Sequence, residues 1–137
     1  MRAFFDSSSF AKRYVTEKGS SQVDDMCMQA SALGLCILCL PEIISAFNRK
    51  VREKSLSSYD YALAKDRLFE DIRDAEIIQL VPQVITRTTS LLEVSTLRAM
   101  DALHVACAIE WDAEIFISSD KNQIQAARKA KLNCKYI

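Results

Sequence analysis

Short apolar runs of strand length alternate with amphipathic helical patterns along almost the whole chain. The strand-like runs cover residues 2–5, 35–40, 76–81 (a short strand or an extended link), 114–118 and 133–137. The helical patterns cover residues 7–31, broken near Gly19, then 41–54, 57–75, 83–95, 98–112 and 121–131. Helices between successive strands act as crossovers between parallel strands. The alternation therefore predicts an α/β fold, a three-layer α/β/α sandwich with a central parallel sheet.

Length and composition indicate one domain. The 137 residues show no repeat, low-complexity tract or linker, so we predict a single domain over residues 1–137. The chain has no G-x-G-x-x-G motif, no Walker lysine loop and no nucleophile elbow. The sandwich is therefore expected to lack the usual nucleotide-binding loops.

Charge and hydropathy limit the partners. The net charge is zero, so an anionic partner must be held by a local patch. The N-terminus shows no secretory signal, and the longest uncharged run, 26–41, is shorter than a membrane span. We expect a cytoplasmic protein with no membrane partner.

The five cysteines are an odd number, which favours reduced thiols over a disulfide framework. Cys36 and Cys39 form a C-x-x-C inside the predicted strand 35–40, where residues three apart point to opposite faces. They are therefore predicted to be buried structural cysteines and not a zinc site.

Four acidic residues fall near the predicted carboxyl edge of the sheet, where ligands bind in folds of this class. They are Asp6, Glu42, Asp101 and Asp120. Each has a structural explanation when it is taken alone. Asp6 and Asp120 can cap helices, Glu42 suits a helix first turn, and Asp101 can pair with Arg98.

Together, the four acids point to a metal ion. Several carboxylates at one edge repel each other, and a buried carboxylate without a partner costs several kcal/mol. A divalent cation removes that cost, and oxygen ligands suit Mg²⁺ or Mn²⁺ better than zinc. Such ions activate water and neutralise phosphate charge, so the pattern predicts phosphodiester hydrolysis without a nucleophilic side chain.

Four segments resemble, in order, the motifs of the PIN domain family, and most closely its VapC-like ribonuclease toxins. They are "FFDSSSFAKRYVTEKGS", "LPEIISAFNRK", "LRAMDALHVACA" and "FISSDKNQIQAARKAKL". The resemblance implies a PIN-like fold and a Mg²⁺- or Mn²⁺-dependent endoribonuclease. It also implies a homodimer that is neutralised by an antitoxin protein, and it does not choose among transfer, ribosomal and messenger RNA.

Carried over by position, the resemblance makes Asp6, Glu42, Asp101 and Asp120 the catalytic, metal-binding set. Ser8 and Ser118 would support them through hydrogen bonds to carboxylates or to water on the metal.

Other residues near these motifs have weaker assignments. His104, the one histidine, is interpreted as structural. Lys12 could contact RNA or an antitoxin. Arg49 and Lys50 belong to a basic run that could follow phosphates, although such runs are usually solvated surface.

Two other hypotheses remain open. The protein could be a non-catalytic PIN-like module that binds RNA or protein, which absence of Mn²⁺ binding would favour. A phosphatase-like hydrolase with an aspartyl nucleophile usually has D-x-D after the first strand. Here Asp6 is followed by two serines.

Overall fold

The computed structural model describes all 137 residues and confirms the predicted sandwich. Five parallel strands form one sheet in the order β3-β2-β1-β4-β5. They are β1 (Arg2–Phe5), β2 (Ala32–Cys36), β3 (Glu76–Ile78), β4 (Ile115–Ser118) and β5 (Cys134–Tyr136). From β1 the chain builds one side of the sheet through β2 and β3, and then the other side through β4 and β5. The order therefore reverses between β1 and β4.

Seven α-helices cover the two faces of the sheet. They are α1 (Ser7–Phe10), α2 (Ser20–Gln29), α3 (Cys39–Arg52), α4 (Ser58–Asp74), α5 (Pro82–Val94), α6 (Ala99–Glu110) and α7 (Lys121–Lys129). The predicted helix 7–31 is divided into α1, a 3-10 turn at Ala11–Arg13, and α2. The break lies at Gly19, whose φ of 96° is a left-handed conformation that glycine adopts readily.

The core has two parts, one on each side of the sheet. Helices α1 to α4 pack over one face around Phe5, and α5 to α7 pack over the other around Phe4. Neighbouring residues of β1 enter opposite clusters because successive strand side chains alternate between faces. No helix in the structure is both long enough and apolar enough to cross a lipid bilayer.

The second strand differs from the sequence prediction of 35–40. It spans Ala32–Cys36, and Cys39 already belongs to α3. The Trp111 ring packs directly against the strand at Gly34. Only glycine leaves room for it, because an added methyl would lie 2.7 Å from the ring. Cys36 and Cys39 are nevertheless both buried, as predicted, and they belong to different core clusters.

An acidic cleft at the carboxyl end of the sheet

A cleft of about 640 Å³ opens beyond the carboxyl ends of β1 and β4, where the strand order reverses. This is where open parallel sheets bind ligands. The structure brings all four predicted acids to its walls, from four different segments: Asp6, Glu42, Asp101 and Asp120.

Asp6 is the most buried of the four, at 4% exposure, and it caps α1. Its Oδ1 accepts hydrogen bonds from the Ser9 amide (3.0 Å) and the Ser9 hydroxyl (2.6 Å). Its Oδ2 accepts one from the Ser8 hydroxyl at 2.5 Å. The predicted hydrogen bond from Ser8 to a carboxylate is therefore present, and these donors fix the orientation of the Asp6 carboxylate.

Glu42 lies in the first turn of α3 and is held by two neighbours. Its Oε1 accepts a hydrogen bond from the Ser7 hydroxyl at 2.8 Å and lies 2.5 Å from His104 Nε2. Burial alone would raise the pKa of Glu42, but His104 and Ser7 lower it below its usual value. Burial would lower the pKa of His104, whereas Glu42 raises it. The lowered pKa of Glu42 and the raised pKa of His104 both favour the charged forms, so the two side chains form an ion pair.

Asp101 stands in the first turn of α6, and its carboxylate makes no hydrogen bond or ion pair. The pairing with Arg98 considered above is absent. Burial and then the charge of Asp120 raise the pKa of Asp101. Asp101 is thus a half-buried carboxylate that no cation pairs with directly, although the charge of His104 partly offsets the increase in its pKa.

Asp120 caps α7, and only one of its oxygens is used. Oδ1 accepts from the amides of Asn122 (2.7 Å) and Gln123 (3.3 Å), while Oδ2 accepts no hydrogen bond. The capping explanation therefore holds for Asp120, and a free oxygen remains.

Ser118 supports the cleft differently from the prediction, because its bonds go to backbone and amide groups and not to a carboxylate. Its hydroxyl accepts from the Asp120 amide at 2.9 Å and donates to Gln123 Oε1 at 2.7 Å. Gln123 in turn donates to the Asp101 carbonyl at 3.1 Å. This chain of bonds connects the first turn of α6 to the end of β4.

The predicted RNA contacts lie outside the centre of the cleft. Lys12 Nζ donates to the Ile137 carbonyl at 2.9 Å, which ties the 3-10 turn to the C-terminal residue. Arg49 and Lys50 lie in the last turn of α3 and do not line the cleft.

Several residues to which the sequence interpretation gave no role also line the cleft, among them Ser7, Gln123, Lys121 and Tyr136. Lys121 directly follows Asp120, so its place beside the acids was a signal available in the sequence.

The donor chemistry of the cleft fits a Mg²⁺ or Mn²⁺ ion. No three Asp, Glu, His or Cys side chains stand together as a preformed ligand set. Mg²⁺, however, usually needs only one or two carboxylates and keeps several of its waters. Asp101 and Oδ2 of Asp120 have free oxygens, and the buried Ser119 hydroxyl on the same wall has no hydrogen-bond partner. A cation would also relieve the charge that raises the Asp101 pKa.

A comparison with protein families covers most of the sequence. A model of the PIN domain family matches residues 3–129. The chain belongs to the PIN domain family. The resemblance given by the four motifs is thereby confirmed, and nucleases of the PIN family generally use divalent metal ions.

Solved structures share this PIN fold at low sequence identity. A toxin–antitoxin complex from Klebsiella pneumoniae is 15% identical over 88% of each chain, with a TM-score of 0.65. VapC20 of Mycobacterium tuberculosis, a sarcin-ricin loop cleaving toxin, is 13% identical over 90% of this chain and 94% of its own, with a TM-score of 0.68.

VapBC2 of Rickettsia felis, bound to a promoter DNA fragment, is 11% identical over 100% and 99% of the two chains, with a TM-score of 0.70. No curated protein sequence matches the chain. At these identities the similarity establishes the fold, and the neighbours are proteins of toxin–antitoxin systems, among them VapC20 and VapBC2.

Proposed function

We propose that this PIN domain is a Mg²⁺- or Mn²⁺-dependent endoribonuclease, the toxin of a toxin–antitoxin pair. The observation that carries the proposal is the convergence of four carboxylates on one cleft, where the Asp101 carboxylate has no ion-pair or hydrogen-bond partner. A structural role explains the other three acids at least in part, but it does not explain Asp101.

Acidic residues of the chain would supply the ligands of the ion. Asp101 has both oxygens free, and Asp120 has one. Hydrogen bonds fix the Asp6 and Glu42 carboxylates before any ligand binds, which lowers the cost of organising the site. A bound Mg²⁺ or Mn²⁺ would activate water for attack on the phosphodiester and neutralise charge on the phosphate.

Residues that carry no carboxylate would act through the acids. Ser8 and Ser7 hold Asp6 and Glu42 by their hydroxyls, and Ser118 holds the Asp120 backbone. His104 is bonded to Glu42, so the proposal gives it a positioning role and no proton transfer.

The partners in this proposal are an RNA substrate, an antitoxin protein and a second copy of the chain, in the cytoplasm. The Klebsiella pneumoniae neighbour is a toxin–antitoxin complex, and the Mycobacterium tuberculosis neighbour cleaves the sarcin-ricin loop. These descriptions support the class of partner and of substrate, while the identity of the RNA needs an experiment.

The test is RNA cleavage by the purified protein. We expect cleavage with Mn²⁺ or Mg²⁺ and none with EDTA. Asp101→Asn should keep the far-UV circular dichroism of the wild type and lose more than about 100-fold in rate, beyond the usual loss for an outer-shell residue. Asp66→Asn, an exposed change on α4, is the matched control and should cleave normally.

Undiminished cleavage by Asp101→Asn would contradict the assigned mechanism. Sequencing of RNA ends after induced expression would identify the substrate and the cut site.

A second candidate function is a non-catalytic PIN module that binds RNA or protein. Three of the acids have structural roles that need no metal ion, and this favours the second function. Asp6 and Asp120 cap helices, and Glu42 pairs with His104. Titration calorimetry with Mn²⁺ separates the two functions, because the non-catalytic module predicts no binding heat in either the wild type or Asp101→Asn.

A further inference from the structure

We infer that Lys121 and Tyr136 form an RNA subsite on the α7 side of the cleft, where Lys121 holds a backbone phosphate and Tyr136 stacks on a base. The inference rests on the proposed ribonuclease function and specifies how the substrate is held. Neither residue belongs to the acidic set.

The acidic cleft would repel an RNA phosphate, so a positively charged side chain on its wall favours RNA binding. Four carboxylates line the cleft, and RNA brings further negative charge from its phosphates. Lys121 is the one Lys or Arg side chain on the cleft wall. It makes no ion pair or hydrogen bond with the protein, so its ammonium group is available to a phosphate.

An exposed aromatic ring lies beside this cation. Tyr136 is on the edge strand β5 and lines the same cleft, with 48% of its surface exposed. Its hydroxyl makes no hydrogen bond, in contrast to Tyr14 and Tyr61. The Lys121 ammonium lies 5.9 Å from the ring centroid. Exposed rings beside cations are typical platforms for unpaired bases.

A second groove continues from the cleft past these two residues. It encloses about 470 Å³ and is lined by Lys121, Asn122, Ile124, Gln125, Arg128 and Tyr136. Its two cations lie on one face of α7, seven residues apart, which is about 10 Å along the helix axis. No acidic residue lines it, and Arg128 makes no ion pair.

The two grooves together give an RNA strand a defined path. The acids and the metal they would hold lie at one end, and the basic, aromatic groove leads away from them. Base stacking is tolerant of sequence, and a lysine reads only phosphate. The subsite therefore suits an unpaired strand and does not select its sequence.

The experiment measures binding of a short fluorescein-labelled single-stranded RNA of mixed sequence by fluorescence anisotropy with Mg²⁺ present. Every protein carries Asp101→Asn so that bound RNA is not cut. The test variants are Tyr136→Ala, Tyr136→Phe, Lys121→Ala and Lys121→Arg. The controls are Tyr59→Ala, an exposed tyrosine on α4, and Lys135→Ala, the neighbour of Tyr136 on β5 that does not line the grooves.

Tyr136→Ala should weaken binding between about 5-fold and about 150-fold, the range for loss of one base–aromatic stack. Tyr136→Phe should bind as the parent does because it keeps the ring. Lys121→Ala should lower the slope of log K against log salt by about 0.7, the value for one phosphate contact on a single strand. Lys121→Arg should keep that slope.

Two outcomes would overturn the inference, and they are distinguishable. If the parent binds RNA and the active protein cleaves it, but Tyr136→Ala and Lys121→Ala behave as the controls do, the subsite is wrong and the nuclease stands. If the parent shows no RNA binding and the active protein no cleavage, the proposed function fails and the subsite fails with it.

Discussion

His104 and Glu42 form a hydrogen-bonded pair in the wall of the cleft, with Nε2 and Oε1 2.5 Å apart. The imidazole is 2% exposed, and its Nδ1 has no partner. The ring therefore contacts Glu42 through Nε2, which also lies 3.3 Å from the Ser7 hydroxyl, and the rest of the ring is buried. This arrangement supports the structural interpretation of the single histidine, because its available nitrogen is used to hold Glu42.

Loss of the histidine should cost stability. His104→Gln leaves the half-buried Glu42 with a neutral donor in place of its cation, and the difference between a charged and a neutral hydrogen bond is about 1 kcal/mol. We expect the free energy of unfolding in urea, with EDTA present, to fall by about that amount. Glu42→Gln should lose less, since it keeps an acceptor for the Ser7 hydroxyl. A larger loss for Glu42→Gln than for His104→Gln would contradict this account.

Removal of the Asp101 charge should stabilise the metal-free protein. Burial and then the charge of Asp120 disfavour the ionised Asp101 carboxylate, and Asp101→Asn removes both penalties. Solvent screens much of the effect at this half-buried site, so the expected gain is a few tenths of a kcal/mol to about 1 kcal/mol. Thermal unfolding in EDTA measures it, with Asp66→Asn as the exposed control. A loss of stability in Asp101→Asn would show that favourable interactions of the charge, such as that with the first turn of α6, outweigh these penalties.

The sequence was informative about the elements because each carries its own hydrophobic period. The exception is β2, where the apolar run 35–40 continues across the junction between strand and helix. Composition cannot locate that junction. It is set by register, since β2 pairs with β1 from Ala32 onward, and by the packing of Trp111 on Gly34.

The acids could be found from sequence because three of them follow strands and all carry local motifs. The residues around them could not, because their roles depend on contacts between distant segments. Lys12 is tied to Ile137 only because β5 brings the chain end to the 3-10 turn. Tyr136 reaches the cleft for the same reason, as the outermost strand lies beside the N-terminus of α7.

A divalent ion should stabilise the wild type more than Asp101→Asn. A ligand that binds only the folded state adds about 2.7 kcal/mol at 100 times its dissociation constant. We expect the melting temperature of the wild type to rise with MnCl₂, and that of Asp101→Asn to rise much less. Asp66→Asn should respond as the wild type does, which controls for nonspecific effects of the salt. Equal shifts in the wild type and Asp101→Asn would exclude Asp101 as a ligand.

A second pair, Tyr14 and Asp71, should make stability depend on alkaline pH. The buried Tyr14 hydroxyl donates to Asp71 Oδ2 at 2.6 Å, and Arg13 donates to the same oxygen. Burial and then this hydrogen bond raise the pKa of Tyr14 above its ordinary value. The unfolded tyrosine ionises near pH 10, whereas the folded one keeps its proton. The free energy of unfolding should therefore be intact below about pH 10 and fall above it, by up to about 1.4 kcal/mol per pH unit.

Tyr14→Phe isolates this contribution from that of the buried thiols, such as Cys27, whose pKa burial raises to about 11. At neutral pH the variant should be less stable by about 1 kcal/mol, through loss of the hydrogen bond. Between about pH 8 and about pH 10.5 its stability in urea should fall less than that of the wild type. Tyr59→Phe, at a tyrosine that is 73% exposed, should follow the wild type at every pH. Parallel pH profiles for Tyr14→Phe and the wild type would show that the Tyr14 proton is not linked to folding.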